Sequence, residues 1–455
     1  MRRPLITAAA VAALSVSLIG CSNKAITPSD EGADGSSSAA AGTTITYSLW
    51  DANQQPSYQK CADDFAKKSG VTVKIQQSGW DDYWNTLTTD LVAGRGPDVI
   101  TNHVAYYPEL ATSQQLVDLQ PYVDKDKVDV DQYTGDLAGL WVKDGKRYGI
   151  PQDWDTIAMV YNTADMKKGG YDAAKLADLT WNPKDGGTFG KMIAHMTVDA
   201  NGVRGDEKGF DKSKVKTYGW GMEKGGGVVG QGQWSWLALS NGFTYLDKNP
   251  FGTKYQLDDP KLVETWTWLQ KQFEAGYILP IEEAGSLGLE PILEQNKAAF
   301  ITDGSWRINT WANSKAQDLA FAPLPKGPEG RRTIINGLAP SITTSSKHKQ
   351  EAWEWVKYMT SDSCQKVVAA DAIVFPSIKG MAEKVVATDE GKGIDVAPFV
   401  DITKDPANLA YYPITDKAGE INSEAQQVVD KMEMGNANPA TALPELNAKI
   451  NKLLS

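Results

Sequence analysis

The chain has 455 residues, with 46 Lys and Arg against 57 Asp and Glu and a formal charge of −11 at pH 7. Such an acidic chain, without a cluster of basic residues, argues against nucleic acid and anionic lipid as partners. Its length exceeds what a single hydrophobic core usually supports, so two lobes are expected.

The N-terminal residues have the pattern of a secretory signal. Two arginines at positions 2 and 3 precede an uncharged stretch over residues 5–19. That stretch is too short for an ordinary membrane span, and we assign residues 1–20 to a signal peptide. The motif Leu-Ile-Gly-Cys at residues 18–21 resembles a bacterial lipobox, in which the cysteine becomes the lipidated first residue of the mature protein. Cleavage of a plain signal peptide nearby is the alternative.

Residues 21–43 begin with this predicted lipidated Cys21 and continue as a stretch rich in Ser, Ala and Gly. With hardly an apolar side chain, the stretch cannot form a core and is predicted to be a flexible tether. Beyond it, no apolar run long enough to cross a bilayer recurs.

The globular part opens with the alternation of strands and helices that is typical of a doubly wound parallel sheet. Strands are predicted over residues 44–49, 71–75 and 98–101, with a helix over 58–68 and another that begins at Trp80. Ligands of such sheets bind beyond the carboxyl ends of the strands, where this chain has polar and aromatic side chains. The candidates here are Asp51, Gln54, Trp80, Tyr83, Asn102 and His103.

A second group of candidates follows the later predicted strands. Residues 148–151 are predicted to cross to a second lobe as a strand, and residues 298–302 and 334–342 are predicted to form further strands. The candidates are Asp153, Trp154, Asp155, Gln233, Trp234, Asp303, Trp306, Arg307, Asn336 and Tyr411.

Two pairs of tryptophans stand two residues apart in this part of the chain. On a helix, only one of Trp234 and Trp236 can share the core face with the neighbouring leucines, so the other is expected to project, plausibly into the cleft. Trp266 and Trp268 are expected to pack in the core.

Five motifs in the same order carry a resemblance to a known family. They are Tyr-Ser-Leu-Trp at 47–50, Ala-Gly-Arg-Gly-Pro-Asp at 93–98, Tyr-Gly-Ile-Pro at 148–151 with Val-Tyr-Asn at 160–162, Ala-Ala-Phe at 298–300 with Asp-Gly-Ser-Trp at 303–306, and Ala-Trp-Glu-Trp at 352–355. Together they resemble the extracellular solute-binding proteins of carbohydrate ABC importers, the group that includes maltose-binding protein.

The resemblance implies an α/β fold of the two-lobed periplasmic-binding-protein type (type II), in which each lobe is a doubly wound sheet and a multi-strand hinge joins the lobes. It implies that lobe 1 comprises residues 44–152 plus 336–380, and lobe 2 residues 153–335 plus 381–455. Two lobes joined in this way are better suited to hinge bending than to catalysis.

The function implied is that of an extracytoplasmic lipoprotein, anchored to the outer face of a bacterial cell membrane, that captures a sugar or oligosaccharide and delivers it to the transmembrane subunits of an ABC permease. We expect a monomer without cofactor, metal or catalytic residues. The composition agrees with a sugar ligand, because the chain has 15 Trp and 17 Tyr but only 10 Phe. A ring with a flat apolar face and a hydrogen-bonding edge suits a pyranose. Most tryptophans are expected in the core, with three or four at the site.

With Cys21 assigned to lipid, Cys61 and Cys364 remain as an even pair in a compartment where disulfides persist. Cys61 lies on the helix predicted over residues 58–68, and Cys364 lies near the end of a helix predicted over residues 350–368. Because the resemblance puts both helices in the same lobe, we predict a disulfide between them. Two buried free thiols are the alternative.

Two other functions stay open from the residues alone. A secreted carbohydrate-active enzyme needs only two carboxylates, which Asp153 and Asp303 could provide. The three histidines show no metal-binding or catalytic spacing. The second alternative keeps the two-lobed binder but replaces the sugar with another solute, such as a polyol or a peptide.

Overall fold

The structure is a computed structural model that describes residues 42–316 and 318–455. The predicted signal peptide, the predicted lipidation site at Cys21 and nearly all of the tether lie outside the described residues. The strands are β1 (Thr44–Leu49), β2 (Thr72–Gln77), β3 (Val99–His103), β4 (Val142–Lys143), β5 (Lys146–Arg147), β6 (Asp153–Asp155), β7 (Ile157–Asn162), β8 (Val198–Asp199), β9 (Val215–Gly221), β10 (Ala298–Gly304), β11 (Leu319–Ala322), β12 (Thr333–Ile342), β13 (Phe375–Pro376) and β14 (Leu409–Tyr411).

The helices alternate with these strands along most of the chain. They are α1 (Gln55–Ser69), α2 (Trp80–Val92), α3 (Tyr107–Thr112), α4 (Gln120–Asp126), α5 (Thr163–Lys168), α6 (Ala173–Ala177), α7 (Gly187–Met196), α8 (Ser235–Ser240), α9 (Pro260–Ala275), α10 (Ile281–Leu287), α11 (Leu289–Glu294), α12 (Ile308–Ala312), α13 (Lys349–Met359), α14 (Asp362–Asp371), α15 (Ala382–Glu390), α16 (Ala397–Asp401), α17 (Ala418–Glu433) and α18 (Pro439–Leu454).

The first lobe is built on a seven-stranded sheet with the order β13-β6-β12-β3-β1-β2, to which β14 adds along β12. As predicted from the β-α-β pattern, β1 pairs in parallel with both β2 and β3. The long strand β12 then runs antiparallel to β3 and β6. This pairing brings the end of β3, the middle of β12 and β6 side by side.

The second lobe is built on a five-stranded sheet with the order β11-β7-β10-β9-β8. Its central strand β10 is parallel to β9 and antiparallel to β7. All seven residues of β10 are buried, which explains their continuous apolar pattern up to Asp303.

Three segments of the chain pass between the two lobes. Two of them join one sheet to the other, namely Thr156 between β6 and β7 and the residues between β11 and β12, and the third leads from β14 into α17, whose apolar side chains belong to the second core. At the first crossing, Thr156 accepts a hydrogen bond at its carbonyl from Ser305 N (3.0 Å), and its hydroxyl donates to Phe399 O (2.6 Å). The molecule is therefore a two-lobed α/β protein with several crossing segments, as the family resemblance implied.

Two local predictions are wrong in their limits. The crossing strand is β6, Asp153–Asp155, rather than residues 148–151, because Pro151 has no N–H to donate to a ladder. The predicted continuous helix from residue 350 to residue 368 is divided into α13 and α14. The break occurs at Ser361, which takes an extended conformation and begins α14 as its N-cap.

Aromatic side chains fill much of both cores. The first core contains Tyr47, Trp355 and Phe375, and the second contains Trp220 and Phe300. Of the fifteen tryptophans, only three are not buried: Trp50, Trp80 and Trp306. The expectation that most tryptophans pack inside is confirmed, as it is for Trp266 and Trp268.

The predicted disulfide between Cys61 and Cys364 is present, with a Cα–Cα distance of 5.4 Å. It joins α1 to α14, two helices that pack against each other in the first lobe. Both cysteines are completely buried.

Among the described helices, none is both long enough and apolar enough to span a membrane.

Candidate functional site

A chain of hydrogen-bonded polar side chains joins the two lobes. Asn336 Nδ2 lies 2.8 Å from His103 Nε2 and donates to Asp155 Oδ2 at 3.3 Å. Asp155 Oδ1 accepts a further hydrogen bond from Gln231 Nε2 at 2.6 Å. His103, Asn336 and Asp155 lie on β3, β12 and β6 of the first sheet, whereas Gln231 precedes α8 of the second lobe. We call these four residues the polar row.

Strand pairing explains why residues so distant in sequence meet here. Asn336 is directly opposite Asp155 in the antiparallel pair of β12 and β6, and His103 is opposite Leu338, two residues further along β12. Side chains two residues apart on a strand point to the same face. The three side chains of the first lobe therefore share one face of the sheet.

Burial shifts the protonation equilibria in the polar row. It raises the pKa of Asp155 to about 7, although the hydrogen bonds from Gln231 and Asn336 favour the ionised form. Burial also lowers the pKa of His103 to about 3, so this imidazole is neutral at physiological pH. The row thus offers a neutral histidine, an amide and a carboxyl that changes its charge close to neutral pH.

Aromatic rings border the polar row at His103. The ring of Trp80 lies 5.7 Å from the imidazole, that of Tyr106 6.0 Å and that of Tyr412 5.1 Å, all measured between centroids. Trp50 packs edge-on against Trp80 at 5.0 Å. Trp80 is 40% exposed, which is unusual for a tryptophan in this protein. We call Trp50, Trp80, Tyr106 and Tyr412 the aromatic border.

A group of buried charges comes from the carboxyl end of β10 in the second lobe. Arg307 Nε lies 2.9 Å from Asp303 Oδ2, and Arg307 Nη2 lies 2.7 Å from Glu290 Oε1. Asp303 also accepts a hydrogen bond from Trp311 Nε1 at 2.8 Å. Burial raises the pKa of Asp303 to about 7 in spite of the positive charge of Arg307.

The same arginine acts electrostatically on the first lobe. Burial raises the pKa of Asp51, which lies two residues after the first strand, and the charge of Arg307 opposes that rise. Burial, together with the charges of Asp155 and Asp51, raises the pKa of Asp153 well above its ordinary value. Groups from both lobes therefore contribute to one electrostatic environment around β6.

The structure thus brings together a subset of the predicted site residues. They are Asp51, Trp80, His103, Asp153, Asp155, Asp303, Arg307 and Asn336. Gln54 also lies close, because its Oε1 accepts a hydrogen bond from Gln152 Nε2 at 3.3 Å. Trp306 is half-buried, and its ring lies against Gly304, where any Cβ atom would collide with it.

Other predicted residues have partners away from the polar row. The hydroxyl of Tyr83 donates to Thr101 O at 2.6 Å, and the amide of Asn102 donates to Ser341 Oγ at 3.2 Å. Trp154 stacks on Phe375 with a centroid distance of 4.8 Å. Tyr411 Oη accepts a hydrogen bond from Asp136 N at 2.9 Å.

The expectation that Trp234 or Trp236 projects from the core is wrong. Both are buried, with 2% and 0% of their surface exposed. The reason is that α8 has only six residues and is enclosed on more than one side: Trp234 packs on Trp266, and Trp236 packs on Phe189. Next to this pair, Gln233 is buried as well.

Sequence reasoning missed four residues of the site: Trp50, Tyr106, Gln231 and Tyr412. Trp50 comes directly after the first strand and is the neighbour of the predicted Asp51. Tyr412 is likewise the neighbour of the predicted Tyr411. Gln231 stands two residues before the predicted Gln233. No local pattern distinguishes Tyr106.

Metal binding has no obvious place among these groups. Within the part of the chain that the structure describes, no three His, Cys, Asp or Glu side chains are arranged to hold a metal ion.

Comparison with known proteins assigns the family. The family model described as bacterial extracellular solute-binding protein matches residues 60–393. The chain belongs to this family. It is therefore a solute-binding protein that acts outside the cytoplasm.

Relatives with described ligands are distant but match over most of their length. The galactooligosaccharide-binding protein of Bacillus subtilis is 22% identical over 444 residues, which is 95% of this chain and 93% of that protein. The arabinooligosaccharide-binding protein of the same organism is 22% identical over 358 residues, 76% of this chain and 73% of that protein.

Among solved structures, the ABC substrate-binding protein Lmo0181 from Listeria monocytogenes, in complex with cycloalternan, has a TM-score of 0.76. The match covers 90% of this chain and 99% of that one at 18% identity. This likeness supports the two-lobed fold of the solute-binding protein.

Proposed function

We propose that this solute-binding protein captures a sugar or oligosaccharide between its two lobes and delivers it to the transmembrane subunits of an ABC permease. The polar row carries this proposal, because it runs from His103 on the first lobe to Gln231 on the second. A ligand that bonds to this row contacts both lobes at once and so favours their closed arrangement.

The chemistry of the site suits a carbohydrate. Sugar hydroxyls both donate and accept hydrogen bonds, and the site offers acceptors at Asp155 and donors at Arg307 and Asn336. Hydrogen bonds to the charged members are the stronger ones. The exposed ring of Trp80 supplies a flat apolar surface for the face of a pyranose. The galactooligosaccharide-binding and arabinooligosaccharide-binding relatives from Bacillus subtilis point the same way.

The proposal includes the location of the protein and its lobes. Lipidation of Cys21 anchors it to the outer face of the cell membrane, and the rest of residues 21–43 is the tether. Lobe 1 comprises residues 44–152 plus 336–380, and lobe 2 comprises residues 153–335 plus 381–455, except that β6 and β14 pair within the sheet of lobe 1. Helix α15 packs against α14 of the first lobe, so it lies at the border between them.

We further propose that the protein binds its sugar without cleaving it. Asp303, one of the two carboxylates that an enzyme would need, is already engaged by Arg307, Trp311 Nε1 and Gly304 N. A carboxylate with its oxygens occupied in this way is a poor nucleophile. After incubation of the purified protein with oligosaccharides, the number of reducing ends should stay constant; an increase would favour the enzyme.

The proposed function is tested by titration calorimetry of the purified protein against a panel of monosaccharides, oligosaccharides, polyols and short peptides. Saturable binding of at least one saccharide, lost or weakened in the Asp155→Ala variant, is the expected result. If only polyols or peptides bind, the ligand is not a sugar. If a saccharide binds the Asp155→Ala variant as tightly as the wild type, the binding site does not include Asp155.

A further inference from the structure

A second concave site lies in the second lobe, where α9 and α17 end and α10 begins. Its volume is about 460 Å³. It is lined by Phe273, Glu274, Ile278, Pro280, Ile281, Glu282, Glu433, Met434, Gly435 and Asn436. None of these residues belongs to the polar row, the aromatic border or the charged group around Arg307. We call it the α9–α17 cavity.

The cavity contains a buried carboxyl without a partner. Glu433 is only 3% exposed, and neither of its carboxylate oxygens has a hydrogen-bond partner. Burying such a group without compensation is costly, so an unpaired buried glutamate on a cavity wall indicates a missing cationic partner. Two further glutamates, Glu274 and Glu282, line the same cavity.

The ends of two helices add to this negative potential. Glu433 is the last residue of α17, and Glu274 is the last but one of α9. The carboxyl end of a helix carries a partial negative charge that favours a cation nearby. The amino group of Lys224, on the loop after β9, lies 4.0 Å from Asp430 of α17 and leaves Glu433 itself unpaired.

Apart from Asn436, the remaining side chains of the cavity wall are apolar. Phe273, Ile278, Pro280, Ile281 and Met434 line the cavity, and Met434 is 42% exposed at the surface. Within the described residues no set of three metal-ligating side chains occurs, so an inorganic cation has no ready-made coordination shell here. An apolar wall with a buried carboxylate fits a hydrocarbon chain that ends in a positive charge.

We propose that the α9–α17 cavity binds an alkylammonium group, whose charge pairs with Glu433 and whose carbon chain packs on the apolar wall. This inference is independent of the sugar site, because no residue is shared. The same chemistry is present in a free diamine and in the lysine side chain of a partner protein.

The titration of Glu433 gives the proposal a distinctive pH dependence. Burial, with a further contribution from Asp430, raises the pKa of Glu433 to about 8, while Lys224 opposes that rise. The other charged groups that line the cavity are Glu274 of α9 and Glu282 of α10. An ammonium group binds the ionised carboxylate, so binding at pH 7 releases a proton, and affinity rises with pH by about tenfold per unit up to pH 8.

The test is titration calorimetry of the full chain with 1,5-diaminopentane between pH 6.5 and 9, in pairs of buffers with different heats of ionisation. We expect saturable binding, about one proton released per ligand at pH 7, and no binding of the neutral 1,5-pentanediol. The variant Glu433→Gln keeps the shape of the side chain and should lower the affinity at pH 8.5 by about a hundredfold. Circular dichroism checks that the variant is folded.

The exposed Glu445 on α18 provides the matched control, because Glu445→Gln removes the same charge from the same lobe without touching the cavity. That variant should bind like the wild type. Equal binding of diol and diamine, a Glu433→Gln variant with wild-type affinity, or no diamine binding at pH 9 would overturn the proposal.

A second ligand separates the two sources of the alkylammonium group. If Nα-acetyl-lysine-N-methylamide binds about as well as 1,5-diaminopentane, the occupant is a lysine of a protein partner. If only the diamine binds, the occupant is a small free amine. Both results support the assigned chemistry.

Discussion

At the scale of single residues, Asp155 is the group of the polar row whose charge responds to pH near neutrality. Burial raises its pKa to about 7, above the ordinary value of an aspartate. In the ligand-free protein at neutral pH, Asp155 is therefore a mixture of the protonated and the ionised form. The ionised form is the better acceptor for sugar hydroxyls. A bound sugar that donates to this carboxylate therefore lowers its pKa.

The first prediction is that sugar affinity increases as the pH rises from 5 to 8, with proton release on binding. The sign follows because the free protein binds more protons at Asp155 than the complex does in this range. The Asp155→Asn variant should bind more weakly and with a flatter pH profile, measured by calorimetry. The control is Asp64→Asn, which changes an exposed aspartate on α1. If the affinity of the Asp155→Asn variant depends on pH as steeply as that of the wild type, the prediction is wrong.

The second prediction concerns Trp80, the most exposed tryptophan of the aromatic border. If its ring stacks on the sugar, Trp80→Ala should weaken binding by about 1 to 3 kcal/mol, the usual loss for an anchoring aromatic. Trp306→Ala should have an effect of similar size from the second lobe. Tyr122→Ala, which removes a half-buried ring beside Trp353 on α13, serves as the control. Unaltered affinity in both tryptophan variants would reject the placement of the site.

At the scale of elements, the disulfide ties the first helix of the lobe to one that lies 303 residues later in the chain. The first helix was predicted over residues 58–68, whereas the second was predicted only as the end of a longer helix over residues 350–368. The bridge was inferred from the family resemblance together with the even number of remaining cysteines. The bridge acts mainly on the unfolded chain, which it prevents from expanding.

The third prediction is that the double variant Cys61→Ser/Cys364→Ser loses about 2 to 5 kcal/mol of unfolding free energy, measured by denaturant unfolding. Its sugar affinity should stay the same, since the polar row lies on other elements. A reducing agent should destabilise the wild type but not the double variant. If the two proteins unfold at the same denaturant concentration, the bridge does not contribute to stability.

At the scale of the whole molecule, the polar row spans the crossing segments. Gln231 reaches Asp155 directly in front of the first crossing, and Asn336 lies within β12, which begins at the second. A ligand on this row binds one relative position of the lobes better than others and shifts the population towards it.

The fourth prediction is that saturating sugar makes the protein more compact. Small-angle X-ray scattering should show a smaller radius of gyration with the bound saccharide than without it. The Asp155→Ala variant, mixed with the same sugar at the same concentration, should scatter like the free protein. Superimposable profiles of the wild type with and without ligand would show that closure does not accompany binding.

Much of the fold could be predicted because its signals are local. Alternating and continuous apolar runs indicated β1, β3, β10 and β12 with small errors at the ends, and ordered motifs indicated the two-lobed class. Element limits were less accurate where one residue decides them, as at Pro151 and Ser361. Both His103 and Asp155, predicted from their position at strand ends, contact Asn336 in the structure.

The sequence by itself determined the two-lobed α/β class, the composition of the cores, the paired cysteines and the strand ends that carry polar residues, since each depends on patterns within a short stretch. Only the tertiary structure decided which of two neighbours joins the polar row: His103 rather than Asn102, and Asp155 rather than Trp154. The physical reason is that adjacent strand residues point to opposite faces, and which face meets the other lobe depends on contacts between residues 76 to 233 positions apart.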